Sequence, residues 1–395
     1  MIFTYQYINH KIEKLQEFLD FLFYDVWLVA EGSFDIEKLN GNQELKDIYE
    51  KLGNVDYDPT NATKNQKGKS AYFFNSSIEN IFDEFSKITD DSFKLDLIEF
   101  YFLNNNISLL CIDKTKIPVC YDEIKGKYPD LAVALKSFYS KLYGSESPFN
   151  LEVFGKLNEE LIISHYTEFM ELNDDGICPF CGIHPIDGNY VSTREAYDHY
   201  LPKAIYPFSS INFKNLSPMC YKCNSGNKST NDPIEHIKGR KLAFYPYANN
   251  HPEIEFSFQL LSNNVTSLTP SDYTLSINAP ANIEEVETWK RVFKTDRKLN
   301  ADGTFEYYGR YDELICNKHG AKEWYEDIYD YFENAMSISD VEKAEDYYLK
   351  VIRATTRNPR SVKNTIKRKF LEECKSKGVF DVHSSRNFLF IVFLT

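Results

Sequence analysis

Apolar residues recur at helical spacing through most of the first 172 residues. Residues 1–55 read as helix on the face made by Ile12, Leu15, Phe18, Leu19 and Leu22. Ile78, Ile81, Phe82, Phe85 and Ile88 form a second stripe, and Leu131, Leu135, Phe138, Tyr139 and Leu142 a third that Gly144 is placed to stop. Leu157, Leu161, Ile162, Tyr166 and Phe169 form a fourth, with His165 beside it as a core or rim residue. Between the second and third stripes Ile107–Asp113 (ISLLCID) is a continuous apolar run, too short for periodicity to choose between strand and helix. Asp56–Ser70, rich in Asn, Lys and Gly, has the composition of a connecting loop.

The polar run Glu171–Gly176 (ELNDDG) closes the helical region, and the pattern changes. Beyond residue 250 the alternation of Glu253–Phe258 (EIEFSF) predicts a strand, with Ser271–Asn278 (SDYTLSIN) as its partner. Helical stripes return at Val286, Trp289 and Phe293, and at Trp324, Ile328, Tyr331 and Ala335. The terminal run Phe388–Leu394 (FLFIVFL) needs burial. The chain therefore reads as α+β, with a mostly helical domain over 1–172, a mixed region over 251–395, and a central stretch, 173–250, whose character comes from its chemistry.

Charge changes this picture in detail. At 395 residues and a net charge of −14, the protein is not one that coats nucleic acid by bulk electrostatics. The charge is uneven: residues 251–349 hold 20 acids against 9 bases, whereas the run from Lys350 to the end holds 3 against 11. Within the basic segment 350–369, Lys350, Arg353, Arg357, Arg360, Lys363, Lys367, Arg368 and Lys369 occur without an acid, interrupted by Pro359. That segment is a candidate clamp for a phosphate backbone or a counterweight to the acidic helices. No signal peptide and no span of bilayer length is visible, so a cytoplasmic protein without membrane contact is expected.

In a reducing compartment paired cysteines are metal ligands sooner than disulfides. Cys178-Pro-Phe-Cys181-Gly182 and Cys220-Tyr-Lys-Cys223 are two C-x2-C turns of the kind that together close a tetrahedral zinc site. Cys111 and Cys120, with no histidine nearby in sequence, read as buried thiols. Between the two turns lie the dipeptide Asp198-His199 and Asn215. Neighbours in a strand point to opposite faces, so Asp198 and His199 cannot both belong to one core surface. A zinc ribbon that only scaffolds the chain accounts for the cysteines and leaves these polar residues to chance.

The pieces CPFCG, DHYLPK (Asp198–Lys203), NLSPMCYKCN (Asn215–Asn224) and Lys228 resemble the HNH, or ββα-metal, endonuclease family; the family's last signature position is Asn224 here rather than His. The resemblance implies a ββα-metal core with structural zinc, embedded between the helical N-terminal and mixed C-terminal regions. It implies His199 as general base, Asp198 and Asn224 as ligands of a catalytic Mg²⁺ or Mn²⁺, and Asn215 as the residue that fixes the loop and orients the imidazole. Zn²⁺ on Cys178, Cys181, Cys220 and Cys223 would be structural. Lys203, Lys228 and Arg194 become candidate substrate contacts. The activity implied is phosphodiester hydrolysis, of DNA first and of RNA as the alternative, in a setting of bacterial antiviral defence alongside an ATPase or another defence-system subunit. A noncatalytic zinc-ribbon subunit that binds nucleic acid or a partner is the competing class. The segment Leu242–Asn249 (LAFYPYAN) resembles the stretch found after the helix in bacterial HNH proteins.

Overall fold

Helices account for most of the described residues, among which the strands form three separate two-stranded antiparallel pairs, an α+β arrangement. The computed structural model describes residues 1–55, 66–188, 193–335 and 337–381. The run Phe388–Leu394 and most of the Asp56–Ser70 stretch lie outside them. Among the described residues no helix is long and apolar enough to cross a membrane.

Two compact units are present. One comprises Tyr5–Asp174 and Asp187–Asn249, the other Met1–Thr4, Asp175–Ile186 and Asn250–Thr395. These divisions differ from the contiguous blocks expected from sequence, because residues 193–249 pack among the N-terminal helices.

In the first unit the helices are α1 (Lys14–Phe21), α2 (Gln43–Gly53), α3 (Gln66–Ser86), α4 (Asp91–Asn105), α5 (Ile107–Ile112), α6 (Tyr121–Lys127), α7 (Pro129–Lys141) and α8 (Ile162–Asn173). The ISLLCID run is therefore a helix. Asn106 starts it, its side chain accepting from Leu109 N–H at 3.2 Å. A wider π turn, Leu22–Trp27, continues α1 and drives Phe23 and Trp27 into the interior. The core is built from rings. Phe23 stacks on Tyr101 at 3.9 Å between centroids, and Trp27 meets Phe138 edge-on at 5.7 Å while its indole N–H donates to Ile78 O at 3.1 Å.

Strands β1 (Tyr197–His199) and β2 (Leu216–Pro218) pair antiparallel, with Tyr197 opposite Pro218, Asp198 opposite Ser217 and His199 opposite Leu216. A π-helical segment, Lys222–Lys228, comes next. Over Asp232–Gly239 the helical structure is a single turn at His236–Lys238. Pro233 lacks an N–H, and the Asp232 carboxylate takes the N–H groups of Ile234 and His236 at 3.0 and 3.1 Å, so the backbone bonds to a side chain instead of to itself. The LAFYPYAN segment lies along β2: Tyr247 OH donates to Leu216 O, and Tyr245 OH to Lys214 O at 3.2 Å.

In the second unit β3 (Glu255–Leu260) and β4 (Tyr273–Asn278) form the expected hairpin, in register from Glu255–Asn278 to Leu260–Tyr273. Helix α9 (Ile283–Phe293), the small pair β5 (Lys298–Leu299) and β6 (Phe305–Tyr307), and helices α10 (Arg310–Cys316), α11 (Ala321–Glu333), α12 (Ile338–Thr355) and α13 (Val362–Ser376) complete it. Phe258 on β3 meets Phe370 on α13 edge-on at 5.6 Å. Pro359 falls between α12 and α13. Much of the basic segment is already paired: Arg360 with Asp175, Lys367 with Asp327 at 3.8 Å and Lys369 with Glu372 at 3.2 Å. Arg353, Arg357 and Lys363 remain exposed.

Candidate functional site

The first cysteine turn is held by hydrogen bonds to nearly every carbonyl it presents. Ile2 N–H donates to Pro179 O at 2.7 Å, the Trp289 indole to Phe180 O at 2.8 Å, Tyr311 OH to Cys181 O at 3.0 Å and Val362 N–H to Gly182 O at 2.8 Å. Gly182 N–H closes the turn onto Cys178 O at 2.8 Å, and Ile183 N–H points at Cys181 Sγ at 3.5 Å. Gly182 sits at φ +65°, the left-handed conformation that favours glycine. Cys220 and Cys223 occupy the entrance to the π-helical segment, where Cys223 and Asn224 N–H groups both donate to Cys220 O, at 2.9 and 3.0 Å.

The sulfurs of Cys178, Cys181, Cys220 and Cys223 all lie within 4.8 Å of one another, every one of these residues is buried, and none is in a disulfide. Zinc with Zn–S bonds of ~2.3 Å holds four sulfurs at ~3.8 Å spacing, so the donor set fits zinc. The His184 carbonyl accepts from Cys178 N–H at 2.8 Å.

Strand β1 carries Asp198 inward and leaves His199 half-buried. His199 Nε2 lies 2.8 Å from Ser210 O. A carbonyl only accepts, so Nε2 holds the proton and, in the neutral ring, Nδ1 keeps its lone pair. Burial pushes the imidazole pKa down to about 3, aided by the positive charges of Lys203 and Lys228 and opposed by the Ser210 carbonyl. Tyr143 meets the ring edge-on at 5.1 Å.

Asn215 has no exposed surface, and both ends of its amide are used. Its Oδ1 accepts from Leu201 N–H at 2.8 Å, while Nδ2 donates to Leu201 O at 3.0 Å and to Ser209 O and Oγ at 3.3 Å. It thus joins the residue two past His199 to the residue before Ser210. The same loop is held from the helices. Phe208, at φ +78°, inserts its ring among Phe23, Tyr101 and Tyr139 at 5.1 to 5.5 Å. Asn104 at the end of α4 donates to Pro207 O at 3.1 Å, and Asn212 donates to Asn105 O at 3.2 Å. Ser210 acts through a backbone atom and Phe208 through a strained φ, and neither leaves a signature in the sequence.

Lys228, expected to reach a phosphate, is completely buried. Its ammonium lies 2.8 Å from Asp198 Oδ2 and donates to His199 O at 2.7 Å. Burial still raises the Asp198 pKa, against the lowering effect of that ammonium. Lys203 donates to Ser140 O and Tyr143 O, each at 3.0 Å, and burial lowers its pKa. Arg194 is half-buried and donates to Glu195 O at 3.3 Å. Asn224 is half-exposed on the π-helical segment, its N–H and C=O engaged by Cys220 O and Ser229 N–H. Local folding accounts for these placements: the second cysteine turn opens directly into the segment that carries both Asn224 and Lys228.

Compared with known proteins, the chain is similar to protein ea31 of Escherichia phage lambda, 31% identical over 117 residues, which is 30% of this chain and 36% of that protein. The chain thus spans little more than a third of that relative's length. No family model matches, and no solved structure matches.

Proposed function

We propose that this chain is a metal-dependent endonuclease of the HNH type, hydrolysing phosphodiester bonds in DNA. The observation that carries the reading is the protonation state imposed on His199. With Nε2–H committed to Ser210 O, the neutral ring offers Nδ1 as a base, and burial keeps the ring neutral. An approaching phosphodiester anion raises an imidazole pKa, so the base strengthens as substrate arrives. His199 accepts the proton of the attacking water at Nδ1, while Asn215 and the Ser210 carbonyl keep the ring from turning.

Asp198 and Asn224 would hold a Mg²⁺ or Mn²⁺ ion. One carboxylate and one amide oxygen suit a hard cation that retains much of its water. When bound, it supplies stabilisation of the charge that develops on the departing 3′ oxygen. Here the Asp198 carboxylate is neutralised by Lys228, so the ammonium already provides positive charge at this position.

Purified protein is expected to cut DNA with Mg²⁺ or Mn²⁺, and His199→Ala to abolish cutting with zinc content unchanged. An Ala variant that cuts as fast as the parent would refute the base assignment, and cleavage of RNA alone in parallel digests would make the chain an RNase. The buried Lys228–Asp198 pair also suits a second reading, a noncatalytic zinc-held binding module in which that pair is purely structural. That reading expects no cleavage, and zinc as the sole bound metal at saturating Mn²⁺.

A further inference from the structure

Away from the cysteine turns and the β1–β2 pair, one further group of metal-binding side chains comes together among the described residues. Cys120 immediately precedes α6, Glu123 lies in its first turn, and His236 arrives from the short turn after the π-helical segment. One donor atom from each lies within 4.8 Å of the others. His236 Nε2 is 3.0 and 3.1 Å from the two Glu123 oxygens. Cys120 is buried, its N–H donating to Glu123 Oε2 at 2.7 Å.

The arrangement is built from behind. The Asp232 carboxylate fixes the backbone at Ile234 and His236, and is itself held by Tyr206 OH at 2.5 Å. Tyr121 N–H donates to Ile205 O at 3.1 Å. Arg240, just beyond, donates to Leu110 O at 2.6 Å, Asp113 O at 3.0 Å and Lys116 O at 3.1 Å. The imidazole is thus delivered to the thiol and carboxylate by a segment tied down on both sides. The ring offers Nε2 to the group, while its Nδ1 is buried on the other side.

We propose that Cys120, Glu123 and His236 form a second zinc site, separate from the four-cysteine cluster. Thiolate, imidazole and carboxylate are the three ligand types zinc accepts, and three protein ligands leave a fourth position for water. The ion takes the place of the proton that Nε2 shares with the two carboxylate oxygens. On binding, the Cys120 thiol proton goes to solvent and the Nε2 proton moves to Nδ1, so the imidazole stays neutral. The site clips the turn at 234–240 to α6, and Glu123, about half exposed on its side chain, leaves it open to exchange with solution.

The test uses the full chain, loaded with Zn²⁺, passed over a desalting column and analysed for metal per protein. Cys120→Ser, His236→Gln and Glu123→Gln are each expected to carry one zinc equivalent fewer than the parent, with an unchanged far-ultraviolet circular dichroism spectrum. With Co²⁺ in place of zinc, the parent is expected to show a thiolate-to-cobalt absorption component that Cys120→Ser lacks and His236→Gln weakens. Equal metal content in the parent and all three variants, or identical cobalt spectra for the parent and Cys120→Ser, would overturn the proposal. Nuclease activity plays no part in these readouts, so they stand apart from the proposed catalytic function.

Discussion

Replacing Gly182 by alanine isolates what holds the first cysteine turn. The residue sits at φ +65°, where an L side chain is strained by about 1–2 kcal/mol. A Cβ there would lie 2.4 Å from Val362 Cγ2, 3.1 Å from Val362 Cβ and 3.2 Å from Arg360 O. Val362 is itself buried and its N–H donates to Gly182 O, so neither group can retreat without losing that bond. Overpacking of this kind costs about 1–3 kcal/mol. Together the two effects give about 2–5 kcal/mol, a large share of the roughly 5–15 kcal/mol that holds a domain folded. Urea unfolding of zinc-loaded protein, followed by tryptophan fluorescence, measures the loss. Val362→Ala in the Gly182→Ala background separates the contributions: relieving the clash should recover the overpacking part and leave the backbone strain. A Gly182→Ala variant within about 0.5 kcal/mol of the parent, the range of ordinary surface changes, would refute this account of the turn.

Lys228→Met should destabilise by about 3–5 kcal/mol by leaving the Asp198 carboxylate buried without its partner, and Lys228→Met with Asp198→Asn should recover much of that; urea midpoints decide it. His165 is buried with Nδ1 2.5 Å from Tyr197 OH, and burial, with a smaller contribution from His10, pushes its pKa down to about 3 from 6.5. The unfolded chain therefore binds the extra proton first. The stability linked to His165 is full above about pH 6.5 and falls as pH drops toward 3, at up to about 1.4 kcal/mol per pH unit. His165→Phe should flatten the acid limb of a stability profile, and an unchanged slope would remove His165 as its source. Chelation of zinc should lower the thermal midpoint and increase the number of thiols that react with a thiol reagent, because the four clustered, buried sulfurs would lose the cation that held them together.

Spacing made the cysteine turns and the β3–β4 hairpin legible, since both are local patterns: two ligands on one turn, or alternation along a strand. Long-range hydrogen bonding escaped. The run Asn104-Asn105-Asn106 is only a polar interruption in sequence, yet Asn104 and Asn105 hold the loop after β1 and Asn106 starts α5. Cys120 read as a buried thiol and is one, but its imidazole neighbour, His236, is more than a hundred positions away, and the turn fixed by Asp232 brings them together. Lys228 keeps helical spacing from Asn224, but periodicity does not say which side of the segment meets the protein, and its ammonium went inward to Asp198.

The left-handed Phe208 determines what can be cut from this chain. Its ring is embedded among aromatic side chains from α4, α7 and the π turn after α1, so the backbone that supplies the Ser210 acceptor is cast in a mould made by residues far upstream. A fragment bounded at 173–250 would carry every signature residue and lack that mould. Moving the loop that holds His199 to another scaffold requires taking these upstream aromatic residues with it.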